Sequence, residues 1–185
     1  MIFHFEKQFL VTRGDGVSIR ERLEAALREA DRTGTDLELD FSEVTAMTHS
    51  FVDECLGRLL SKRAAGDLPP VLMTAGGLND ETAEEIDIAL SRRKLGLVRI
   101  DGDRPVLLGA DDYLKETFDQ GAAREEFRAA DLAEELGTTP QNMNNRLKAL
   151  VDSGALRRVR STIPGGGREF VYQVARGARL APTST

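Results

Sequence analysis

Four carboxamide side chains crowd into five positions of "TTPQNMNNRLKAL" (residues 138–150): Gln141, Asn142, Asn144 and Asn145. A carboxamide presents a donor and an acceptor side by side, and Asn or Gln can pair with N6 and N7 of adenine together. The same residues compete with a helix for its backbone hydrogen bonds, so their concentration here calls for a reason. The flanks nevertheless predict a helix. At about 100° per residue, Met143, Leu147 and Leu150 share one narrow sector and form a buried stripe. Gln141, Asn145 and Lys148 then point outward, Asn142 and Asn144 flank them, and Arg146 lies at the edge of the stripe. Thr139 is a suitable N-cap and Pro140 a natural first helical residue, with Gly154 as C-cap. The amides therefore occupy the first turn and a half, where they can read base edges or act simply as solvated caps.

Other groups with binding chemistry lie nearby. "ALRRVRST" and "REFVYQV" are strand-like, the second with Phe170, Tyr172 and Val174 on one side, and "IPGGG" supplies a turn between them. Arg157, Arg158, Arg160 and Arg168 surround this hairpin and suit phosphate or minor-groove contacts. Upstream, "AADLAEELG" is a short amphipathic helix closed by Gly137 and joined to the amide helix by a tight turn.

Charge supports a separate role for this end of the chain. The 185 residues carry a net charge of −6, yet residues 137–185 hold 8 basic and 2 acidic side chains. Residues 1–110 hold 14 and 20, and residues 111–136 hold 3 and 9. The acidic total thus leaves room for a polyanionic partner at the C-terminal end.

"DLAEELGTTPQNMNNRLKALVDSGALRR" resembles the winged helix-turn-helix domains of bacterial transcription regulators, especially the MarR and ArsR types. The resemblance implies an α+β module in which the second helix enters the major groove of double-stranded DNA. Thr139, Gln141, Asn142, Asn144 and Asn145 would face the bases. Arg146 and Lys148 would meet phosphates, and Arg157, Arg158, Arg160 and Arg168 would form the basic wing. Regulators of this type dimerise, so the resemblance also implies a homodimer on a palindromic site.

The elements ahead of this module alternate. A turn is expected at "RGDG" (13–16), a helix over 18–30, a strand at "DLELDF" (36–41) and a helix over 50–63. A buried strand follows in "PPVLMTAGG" (69–77), then a helix capped by Asp80 or Asn79, and a hairpin over 97–108. Strands alternating with helices indicate an α/β layer structure. The domain boundary falls near 109–111, giving units over 1–109 and 110–175 and a tail over 176–185.

"LELDFSEVTAMTHSFVDECLG" (37–57) resembles the STAS domains of anti-sigma-factor antagonists, and more closely the STAS-like domain of unknown function found in prokaryotic proteins. The expected fold is an α/β unit with a mixed sheet. Ser50 falls on the phospho-acceptor position, while Thr48, His49 and Phe51 stand where aspartate, serine and glycine are usual. The resemblance implies a partner surface at His49, Ser50 and Phe51 and a kinase-like ATPase as partner. Ser50 can also act as a plain helix cap, and a phosphate there would be favoured by the same N–H groups.

Other chemistry is poorly supported. One cysteine, Cys55, excludes an internal disulfide, and with two histidines the chain lacks a zinc framework. No apolar run approaches transmembrane length, and "MIFHFEKQF" does not read as a secretion signal, so a cytoplasmic location is expected. His49, Asp53 and Cys55 cluster, but Cys55 is expected on a buried face. "TAGGLND" (74–80) lacks the ending of a phosphate-binding loop. The expected function is a DNA-binding regulator with a sensing domain, or a partner-switching adaptor, with no catalytic centre, cofactor or metal.

Overall fold

The computed structural model describes residues 1–102, 104–162 and 168–176, with only the backbone of Thr162, Arg168 and Glu169. The "IPGGG" turn and the tail from residue 177 lie outside the described residues.

Five strands form the main sheet: β1 (Ile2–His4), β3 (Leu37–Asp40), β5 (Met73–Gly76), β6 (Leu97–Asp101) and β7 (Arg104–Leu108), adjacent in that order. β1, β3, β5 and β6 run parallel, and β7 returns antiparallel from β6. A small parallel pair, β2 (Phe9–Leu10) with β4 (Ala46–Met47), sits apart. Pro105 is tolerated because β7 is an edge strand.

Alternation divides the sheet into two apolar faces. Leu37, Leu39, Met73, Ala75, Leu97 and Leu108 face one core, shared with α1 (Arg13–Thr33), the helix from His49 to Ala64, and α4 (Asp80–Ser91). Leu72, Val98 and Leu107 face the other way, into a second core. That core is completed by α5 (Asp112–Ala122), α6 (Ala129–Glu135), α7 (Pro140–Ser153) and the antiparallel hairpin β8 (Leu156–Thr162) with β9 (Arg168–Val174). The C-terminal elements therefore pack against the sheet itself.

Two local expectations are corrected, and one left between two residues is decided. "RGDG" is the first turn of α1, because Thr12 Oγ1 accepts from Asp15 N at 3.0 Å and starts the helix there. Gly16 serves a close approach: a Cβ would stand 3.1 Å from Glu54 Cβ and 3.2 Å from the Phe51 carbonyl oxygen. The cap of α4 is Asn79, whose Oδ1 accepts from Thr82 N at 2.8 Å, while Asp80 is already helical. The helix over 50–63 starts at His49 and is interrupted: α2 (His49–Val52) and α3 (Arg58–Ala64) are joined by a π-helical turn, Asp53–Gly57.

A buried guanidinium pins the seam between the two cores. Arg63 is 3% exposed, and its Nη2 donates to the Val71 carbonyl at 2.6 Å. Its Nε reaches the Asp152 carbonyl at 3.5 Å. Burial pushes its pKa down to about 10 against the attraction of Asp152, so it stays charged at neutral pH. Gly154 closes α7 at φ 83°, its carbonyl accepts from Met73 N at 3.1 Å, and it leaves no room for a side chain beside Arg63 Nη2. Arg157 of β8 pairs with Asp36 just before β3.

Arg63→Ala is expected to lower the unfolding free energy by about 2–4 kcal/mol, since it strips buried carbonyls of their donor and leaves a cavity. Urea titration checks this. Both sets of elements should unfold in one transition in the wild-type protein, because they share the sheet.

Candidate functional site

Thr139 Oγ1 accepts from Asn142 N at 3.2 Å and sets the start of α7. Met143, Leu147 and Leu150 are buried, which fixes the rotation of the helix. Gln141, Asn142, Asn144, Asn145 and Lys148 consequently face solvent. Several have local partners. Asn142 Nδ2 donates to Thr138 Oγ1 at 2.9 Å, Gln141 Nε2 to Asn145 Oδ1 at 3.4 Å, and Lys148 Nζ to Asp152 Oδ2 at 2.5 Å.

Arg146 departs from its expected role as a phosphate contact. Its side chain is only 14% exposed and turns toward α5, donating to Thr117 Oγ1 at 3.2 Å and to the Tyr113 carbonyl at 3.4 Å. Its guanidinium also lies 5.3 Å from the centre of the Tyr113 ring. The edge of a buried stripe is where a long cation can fold back on a neighbouring helix instead of extending outward.

The hairpin arginines divide by strand parity. Arg158 pairs in register with Tyr172, and Arg160 with Phe170. Both are exposed on the face that carries Phe170, with guanidinium carbons 4.5 Å and 5.9 Å from its ring centre. Arg157 is on the opposite face and is occupied by Asp36, which corrects its expected place in a basic wing. The Arg168 side chain lies outside the described residues. Tyr172 anchors the hairpin: its ring stacks on Phe127 at 5.8 Å, and the two backbones bond in both directions.

Between α7 and the hairpin runs an open groove of about 740 Å³. Asn144, Asn145 and Lys148 line one wall, and Arg158, Phe170 and Tyr172 the other. The fold thus gathers part of the amide helix and one hairpin arginine around a single cleft. Phe170, 43% exposed on that wall, was not among the sequence candidates. Its alternation with Tyr172 and Val174 was legible, but its exposure was not.

The start of α2 forms a second cluster. Thr48, rather than Ser50, is the cap: its Oγ1 accepts from Phe51 N at 3.3 Å and donates to the Val11 carbonyl at 3.0 Å. Ser50 is exposed two residues further on, as the second residue of α2. Phe51 is fully buried, so it supports the core and is not part of a partner surface. Arg92 Nη1 donates to His49 Nε2 at 3.0 Å, and Arg93 holds Asp53 at 2.7 and 3.0 Å, keeping that carboxyl below its usual pKa. Cys55 is fully buried, and burial pushes its thiol up to about 12, which makes it a poor nucleophile.

Residues 15–67 match the family described as a STAS-like domain of unknown function. No curated protein and no solved structure matches the chain. No described helix is long and apolar enough to cross a membrane.

Thr48→Ala should cost about 1 kcal/mol of stability, whereas Ser50→Ala should stay within about 0.5 kcal/mol of wild type in thermal or urea unfolding. Cys55 should resist a thiol reagent at pH 8 in the folded protein and react at once in denaturant.

Proposed function

We propose that the chain is a DNA-binding transcriptional regulator, with a STAS-like sensing or partner-binding domain fused to a winged helix-turn-helix. In this reading α6 and α7 form the helix-turn-helix, β8 and β9 form the wing, and double-stranded DNA enters along the α7–hairpin groove. One observation carries the reading: exposed Asn144 and Asn145 of α7 and exposed Arg158 of the hairpin line one open groove, with exposed Arg160 on the same hairpin face. Gln141, Asn142, Asn144 and Asn145 are the base-reading residues. Lys148, Arg158 and Arg160 meet phosphates, with Arg146 and Arg157 supporting the geometry from within the protein. The regulator acts in the bacterial cytoplasm as a homodimer on a two-fold site, and it performs no catalysis.

Purified protein should retard duplex fragments of genomic DNA at low salt, with affinity falling steeply as salt rises. Each phosphate contact contributes about 0.9 to the slope of log K against log salt, so Arg158→Ala with Arg160→Ala should lower that slope by about 1.8 and weaken binding. Folded protein that retards no DNA at low salt overturns the reading.

A second reading rests on exposed Ser50 and half-buried His49 at the start of a helix inside the STAS-like region. There the chain is a partner-switching adaptor that docks on a kinase-like ATPase. Binding of that partner should respond to substitution of His49 and Ser50 and be indifferent to the hairpin arginines. Incubation with lysate kinases and ATP should then place phosphate on Ser50. Unmodified Ser50 by mass spectrometry removes the phosphoswitch.

A further inference from the structure

Phe170 is an exposed aromatic ring on a strand whose neighbours Tyr172 and Val174 are buried. Solvation of an isolated phenyl ring gains nothing, so its surroundings matter. The Arg158 guanidinium carbon lies 4.5 Å from the ring centre and that of Arg160 lies 5.9 Å away. Both fall within the range at which a ring quadrupole attracts a cation. Arg157, from the same basic run, is instead held by Asp36 on the opposite face. Strand register thus places Arg158 and Arg160 on the face of the ring, and Arg158 lines the groove with it.

We infer that Phe170 is a positioning residue that pre-aims Arg158 and Arg160 at a nucleic-acid backbone, an inference that rests on the DNA reading above. An arginine on a free surface loses rotamer entropy when it docks on a phosphate. Arginines already resting on a ring lose less, and the aryl face leaves their outward N–H groups available. Phe170 itself contributes no charge and no hydrogen bond. Its effect on affinity passes through the guanidinium groups, so it is coupled to them.

A double-mutant cycle on the full chain tests this by gel retardation on a bound genomic fragment at fixed low salt. Phe170→Leu is expected to weaken binding about fivefold in the wild-type background. In an Arg158→Ala background the same change should cost less than about twofold, because the principal cation is gone. Phe170→Trp should bind as wild type, since the larger ring restores the interaction. Unfolding curves of the variants should match wild type closely, given the ring's exposure. Equal loss from Phe170→Leu in both backgrounds, or Trp as weak as Leu, or no loss at all, overturns the inference while the DNA reading stands. Wild-type protein that binds no DNA overturns both.

Discussion

The two-faced burial of the central sheet is the constraint on which the rest of the structure depends. A parallel sheet needs cover on both sides, because its crossovers place apolar side chains on each face. Here one face is covered by α1, the His49–Ala64 helix and α4, and the other, at Leu72, Val98 and Leu107, by the C-terminal elements. The C-terminal unit is thereby a layer of the protein and not a bead on a linker. Arg63 reinforces that arrangement by satisfying the Val71 carbonyl in one unit and reaching the Asp152 carbonyl in the other.

This docking has consequences for the groove. The stripe Met143, Leu147 and Leu150 faces inward, so the opposite side of α7 has to face out. The C-terminal end of α7 is fixed against the sheet through Gly154 and Met73, and the hairpin that follows is fixed by Arg157 on Asp36. Helix and hairpin are held from behind at the same end of the sheet, beside the starts of β3 and β5, and the cleft between them is correspondingly well defined. Rigid support of this kind favours a binding surface, because less ordering remains to be done when a ligand arrives.

The same long helix also joins the two candidate surfaces. His49 and Ser50 open it, Arg63 sits near its end, and a π-helical turn lies between. Such turns accommodate an extra residue within a helix and concentrate at functional sites. Here the turn carries Asp53, held by Arg93, and Glu54, which bonds Arg20 and Arg58 and is almost buried. These ion pairs tie α1 and the segment just after α4 to the interrupted helix.

The sequence by itself determined the elements and their inward faces. The period of Met143, Leu147 and Leu150 placed α7, Thr139 and Gly154 marked its ends, and alternation at 37–41 and 168–174 identified strands. Such signals are local, since periodicity and capping depend on residues a turn apart. The sequence also supported a STAS-like N-terminal unit. It misplaced the cap at Ser50 and the turn at "RGDG" and left Asn79 and Asp80 as alternatives, because several residues in each window had cap or turn chemistry. Only the tertiary structure decided which long side chains are available for binding. Arg146 and Arg157 resemble Arg158 and Arg160 in type and spacing, yet the first folds onto α5 and the second onto Asp36. A flexible cation takes the partner that the fold brings within reach, and that partner can lie more than a hundred residues away.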